Sequence, residues 1–445
     1  MTSLARIAQL SAAFLCSNLA RAGIGFALAL VLGRALGPAR FGAWILCTAW
    51  ASTLTVVSDL GFGVLLTRDG ARGDSDPARL LSGALVLRLV AAIPLACALA
   101  AAAGSLASDR ETIDSLRIAA LLGAAGAAYG CFGSLLRSRP RWLPAVLAVE
   151  TTWLAAQVAG SWYLVASGFG VVALMALAVA LQLAQIATAL VFWGPVFGKR
   201  AASPFAPPSA LVPLLRRALP FAASGIVANL EARVAPLMLG ALATPAHVGW
   251  FGAAARVGRG VKLMPQAVFA GALPVLAQEY GYDAEAALRT SGALDRVLMS
   301  LSVAAAVACA IAAPFLMPLA FGSSFAAAAS TLVWVAIGLV PAVSNSSRKV
   351  FLYAAGQEAI AVRWSAAALA LQIAISGLLI PAFGSVGAAM AIVVAEASIW
   401  LPLRRTNCKP ESSKFEVRSS KAMKDEAERS DRQAATSTEV RTSYF

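Results

Sequence analysis

The sequence is poor in the residues that enzymes rely on. It carries a single histidine, His247, which removes most histidine-based acid–base catalysis and metal binding. Of its six cysteines, Cys16, Cys47, Cys97, Cys131 and Cys309 lie in apolar runs and Cys408 lies near the C-terminus. None forms a C-x-x-C pair, so neither a disulfide framework nor a zinc site is indicated. The chain has no G-x-x-x-x-G-K-[ST] and no H-E-x-x-H stretch, which excludes P-loop nucleotide hydrolysis and a zincin site. Charge is scarce as well: 13% of residues are charged, about half of the roughly 25% usual in a soluble domain. These absences argue against an enzyme and against a metal or other cofactor.

What is present instead is apolar sequence. The chain is 59% hydrophobic, with a mean hydropathy of +0.75. It contains repeated apolar runs near the ~20 residues that span a bilayer core as a helix. The expected architecture is an all-α integral membrane protein with about 12 transmembrane helices. Their approximate limits are 11–33, 43–66, 80–106, 115–136, 143–166, 170–197, 217–241, 247–274, 293–320, 325–346, 359–381 and 384–403. Breaks fall at turn chemistry such as Gly37-Pro38, Thr244-Pro245 and Pro381 to Gly384. The first run is too long for a signal-peptide core, holds Arg21 and lacks an A-x-A cleavage site, so it reads as a retained span.

The net charge of +14 is read as a loop bias and not as a nucleic-acid footprint. Arg68, Arg72 and Arg79, then Arg137, Arg139 and Arg141, then Lys199, Arg200, Arg216 and Arg217, then Arg289 and Arg296, then Arg348, Lys349 and Arg363 fall in alternate loops. The other loops hold only Arg34, Arg40, Arg110 and Arg117. The bias places both termini in the cytoplasm. A Pro- and Ser-rich break at Gly198–Leu211 divides the chain into an N-terminal half, 1–200, and a C-terminal half, 201–403. Each half is expected to form a six-helix bundle. Residues 404–445 are polar, carry both signs of charge and read as a disordered cytoplasmic tail.

One stretch occurs twice. Leu30-Val31-Leu32-Gly33-Arg34-Ala35-Leu36-Gly37-Pro38-Ala39-Arg40-Phe41-Gly42 aligns without a gap on Leu237-Met238-Leu239-Gly240-Ala241-Leu242-Ala243-Thr244-Pro245-Ala246-His247-Val248-Gly249. An aromatic follows in both copies, at Trp44 and Phe251. A helix–turn–helix corner repeated in corresponding places points to two halves related by an internal repeat.

Ionisable residues inside the spans mark candidate sites, because each costs at least ~2.5–3.5 kcal/mol at the centre of a membrane helix. In the N-terminal half these are Arg21, Asp59, Arg88 and Glu150. In the C-terminal half they are Glu231, Arg233, Arg256, Arg259, Lys262 and Glu396. Arg256, Arg259 and Lys262 recur every third residue, so they cover about a third of the helix circumference. Such a wall suits a phosphate or pyrophosphate. Arg21, Arg88, Arg256, Arg259 and Lys262 are therefore candidates for substrate binding, and Glu150, Glu231 and Glu396 for coupling to an ion. Packing-only roles remain open for several: Arg88 as a snorkelling side chain, and Glu231 and Arg233 as partners of other charges that only stabilise packing.

With these residues in view, the chain resembles the polysaccharide flippases of the multidrug/oligosaccharidyl-lipid/polysaccharide exporter superfamily. The likeness is carried by Gly33 to Gly42, by Ser58-Asp59-Leu60-Gly61-Phe62-Gly63 with Arg68, and by Leu239-Gly240 followed by Val248-Gly249-Trp250-Phe251-Gly252-Ala253-Ala254-Ala255-Arg256. The resemblance implies two six-helix bundles around a central cavity, working by alternating access. It further implies an undecaprenyl-diphosphate-linked oligosaccharide substrate in a bacterial inner membrane, with membrane lipid, a polysaccharide polymerase and assembly proteins as partners and no nucleic acid. The chain departs from the family pattern at Ala235, where members often have an aspartate, and at His247, where a small or acidic turn residue is usual. Two other readings stay open: a multidrug or small-molecule exporter of the same fold, and a non-transporting scaffold of a polysaccharide assembly complex.

Overall fold

A computed structural model describes residues 3–73, 76–198 and 207–405. Of the expected disordered tail, 404–445, Arg404 and Arg405 instead end the last helix, and 406–445 lie outside the described residues. The described chain is helical throughout: α1 (Ser3–Val57), α2 (Phe62–Arg72), α3 (Pro77–Leu106), α4 (Arg110–Arg137), α5 (Leu143–Ala166) and α6 (Val171–Phe197), then α7 (Pro208–Leu242), α8 (Pro245–Tyr282), α9 (Ala284–Phe321), α10 (Ala328–Ala354) and α11 (Glu358–Arg405). Ten of these are long and apolar enough to cross a membrane.

Two of the ten stand out by their length. At 1.5 Å per residue, the 55 residues of α1 and the 48 of α11 far exceed a hydrocarbon core of about 30 Å. Each is broken by one non-helical glycine, Gly37 in α1 and Gly384 in α11. Their φ angles of 70° and 55° lie in the left-handed region that side chains with a Cβ rarely enter. Both breaks fall where turn chemistry is written in the sequence.

The second apolar run differs from expectation. It was expected to continue to residue 66, but helix ends at Val57. Leu60 and Gly61 take positive φ of 50° and 85°, and the Asp59 carboxylate accepts the backbone N–H of Gly63 at 3.1 Å. That turn starts α2 as a separate, short amphipathic helix. Elsewhere side chains start the helices: Asp76 accepts from Ala78 N–H at 2.9 Å and Asp109 from Thr112 N–H at 2.8 Å. Asp283, in the tight link between α8 and α9, accepts from Glu285 and Ala286. The Ala286 N–H is the main cause holding its carboxyl below the usual range.

The largest core cluster joins α1, α4 and α6 to α7, α8, α9, α10 and α11 through Leu32, Phe41, Trp44, Leu239, Phe251, Phe321 and Phe325, among others. A second cluster holds Phe62, Leu65, Leu80, Cys131 and Trp193, with Leu214 and Ala218 of α7 among them. The first turns of α7 therefore pack into the helices that precede them, across the division expected at residue 200. Arg217 of α7 also pairs with the buried Asp69 of α2, and Arg68 sits over the Phe221 ring at 5.3 Å.

The two copies of the repeated corner pack on one another. A Cβ on Gly42 would collide with the Pro245 carbonyl, and a Cβ on Gly249 would collide with the Pro38 carbonyl. The contact is reciprocal between aligned positions, and only glycine allows so close a backbone approach.

Candidate functional site

A cavity of about 370 Å³ opens between the second run of α1, α7, α8, α10 and α11. Its apolar wall is built largely of alanine and glycine, including Ala49, Ala232, Gly252, Ala255, Gly258 and Gly338. Small side chains leave the space; long charged ones project into it. The charged lining is Arg233, Arg256, Arg259, Lys262 and Lys349 against Glu231 and Glu396, five cations to two carboxylates.

The cations differ in their partners. Arg256 donates from Nη1 to the carbonyl of Gly25 at 2.9 Å and lies 5.6 Å from the Trp44 ring centre. Its buried Nε has no hydrogen-bond partner. Among the described residues, Arg233, Arg256 and Arg259 form no ion pair. Lys349 lies 3.8 Å from Glu231. Lys262 feels both Glu396 and Glu231. Glu396 is held by Asn345, whose Nδ2 donates to its Oε2 at 2.7 Å and to its backbone carbonyl at 2.8 Å.

The charged candidates of the N-terminal helices lie outside this lining. Glu150 is buried and accepts from Arg21 at 2.7 Å, from Arg137 at 2.5 Å and from the Tyr129 hydroxyl at 2.8 Å. Arg88, 2% exposed, pairs with Asp59 at 2.9 Å and packs against Gly130. Their positive charge is answered within the same bundle. The structure thus brings Arg256, Arg259, Lys262, Glu231 and Glu396 together, and sets Arg21, Arg88 and Glu150 apart from them.

Sequence reasoning missed Lys349, which it assigned to a cytoplasmic loop, and Gln372, Ser346 and Asn345. α10 runs on to Ala354, so Lys349 is a helical residue facing the cavity. The signal was available in the spacing: Ser346 and Lys349 are three residues apart on one helical face.

The profile of the family described as polysaccharide biosynthesis protein matches residues 8–279. The chain belongs to that family. It is a multi-pass membrane protein. Among solved structures, it is similar to the lipid II flippase MurJ in an inward closed conformation, with a TM-score of 0.70, 11% identity, and coverage of 87% of this chain and 86% of that one. It is similar as well to an inward-facing multidrug resistance MATE transporter of the MOP superfamily, with a TM-score of 0.68, 15% identity, and coverage of 86% and 94%. A MOP superfamily transporter from Pyrococcus furiosus, described by the reversed polarity of its binding pocket, aligns with a TM-score of 0.57, 16% identity, and coverage of 90% and 94%. These likenesses give the family member its fold. No curated protein matches it by sequence.

Proposed function

We propose that the protein flips undecaprenyl-diphosphate-linked oligosaccharide repeat units across a bacterial inner membrane for polysaccharide export, by alternating access. The observation that carries this reading is the set of three cavity arginines with no carboxylate partner among the described residues, in a chain of the polysaccharide biosynthesis family. A guanidinium taken out of bulk water without a counter-ion is costly, and an anionic ligand supplies the missing charge. Arg256, Arg259 and Lys262, joined by Arg233 and Lys349, hold the diphosphate or acidic sugars through charge-assisted hydrogen bonds. Arg21 and Arg88 act one step away, by fixing the helices of the N-terminal half. The accompanying topology counts each side of the Gly37 and Gly384 kinks as a crossing. That gives twelve spans in two six-helix halves related by the repeated corner, with both termini cytoplasmic. A cationic wall disfavours the cationic drugs that a multidrug exporter of this fold would carry.

The test is reconstitution. Proteoliposomes containing a lipid-linked oligosaccharide are treated with an outside glycosidase, and newly accessible sugar is scored. The native chain is expected to expose the sugar, and Arg256→Ala combined with Arg259→Ala to abolish exposure at equal protein insertion. Full exposure by the double variant would reject the cavity as the substrate site.

A further inference from the structure

The five cavity cations fall into two groups. Arg233, Arg256 and Arg259 have no carboxylate partner among the described residues, whereas the two lysines are guarded. Lys349 stands 3.8 Å from Glu231, and Lys262 lines the same cavity within electrostatic reach of Glu396 and Glu231. The charged and titratable groups that act on Glu231 come from three elements: Lys262 on α8, Lys349 and Tyr353 on α10, and Glu396 on α11. The two carboxylates sit on α7 and α11, and Asn345 fixes Glu396 in place.

We infer that Glu231 and Glu396 are built-in competitors of the anionic substrate: while charged, they hold Lys262 and Lys349 back from it. The inference rests on the reading of the cavity as a diphosphate site and adds the reason why it does not bind too tightly. A site of five free cations enclosed in a membrane protein would hold a diphosphate strongly and release it slowly, since low-dielectric surroundings magnify each attraction. Two resident carboxylates lower that affinity without occupying the arginines.

The arrangement fixes a sign. A proton on either carboxylate frees a lysine and strengthens anion binding, so proton and anion bind cooperatively. An exchanger that expels the anion on taking up an outside proton needs the opposite. Glu231 and Glu396 are therefore release residues and not the site where an inward proton is traded for an outward anion.

The experiment is calorimetric titration of the purified full-length chain with methanedisulfonate, a diphosphate-shaped dianion that does not itself titrate near neutrality. Glu231→Gln and Glu396→Gln are compared singly and together; glutamine at 396 preserves the acceptor for Asn345. Near neutral pH the double variant is expected to bind at least about fivefold tighter, the low end of coupling between interacting sites. The native affinity should rise on acidification while the double variant stays flat. Equal or weaker binding by the variants overturns the inference and leaves the cavity an anion site. A native affinity that is flat or falls on acidification overturns it without any substitution. Binding by the variants alone supports it, and binding by none rejects the anion site and the inference together.

Discussion

Arg88 and Arg259 are both arginines within apolar helices, and they have opposite fates. Arg88 is answered by Asp59 in the same bundle. Arg259 faces the cavity and forms no ion pair among the described residues. Replacing Asp59 by alanine strands a buried cation, so a loss of about 3–5 kcal/mol is expected, seen as a lower thermal unfolding midpoint in detergent. Arg259→Ala should change the unfolding free energy by no more than about 0.5 kcal/mol, with little shift of the midpoint, while weakening anion binding. Similar midpoints for the two variants would contradict the division between paired and open charges. This division was not legible in the sequence. The spacing of Arg256, Arg259 and Lys262 shows that they share a helix face, but not what that face meets. Asp59 lies in the turn after α1 and Arg88 on α3, and pairing between separate elements leaves no periodic trace.

At the scale of elements, the kinks were the most legible feature. A glycine beside proline, at Gly37-Pro38, and one shortly after proline, at Gly384, mark positions where a helix must change direction. The reciprocal corner was legible as a repeat but not as a contact: nothing in two aligned copies states that they touch. The contact separates two glycines of α8. A Cβ on Gly249 meets the Pro38 carbonyl, whereas one on Gly260 meets nothing within 4 Å. Gly249→Ala is expected to destabilise by about 1–3 kcal/mol through overpacking, and Gly260→Ala to stabilise by up to about 1 kcal/mol through helix propensity. Thermal unfolding of the two variants side by side checks the pair, and a shift of the same sign in both would refute the close crossing. The polar break near residue 200 was legible too, but apolar side chains on the first turns of α7 carry packing back across it.

For the whole molecule, one end of the assembly is tied shut. The crossed corners lie there, with an aromatic cluster of Phe26, Phe41, Trp44, Phe321 and Phe325. Arg34 donates to the carbonyls of Leu319 at 2.6 Å and Ala320 at 2.8 Å, so a residue of the first helix caps the end of α9. The alternating access proposed for the protein requires this end to part. Arg34→Ala is expected to broaden the distance distribution between spin labels placed on the two corners, and an unchanged distribution would show that the arginine contributes nothing to closure. Composition and loop charge made the membrane class visible, because hydropathy is a property of each helix alone. Which end is closed is a property of how helices meet, and that information is spread over distant residues.

The same closed end contains the one histidine of the chain. The His247 ring packs edge-on against Trp250 with centroids 4.9 Å apart, and its Nδ1 accepts the backbone N–H of Ser385 at 3.2 Å, beside the Gly384 kink. Accepting there leaves the ring proton on Nε2. A nitrogen-15 spectrum of histidine-labelled protein will therefore hold a single imidazole pattern, already assigned and of known tautomer. The molecule carries its own reporter for the state of its closed end, and no label has to be added to read it.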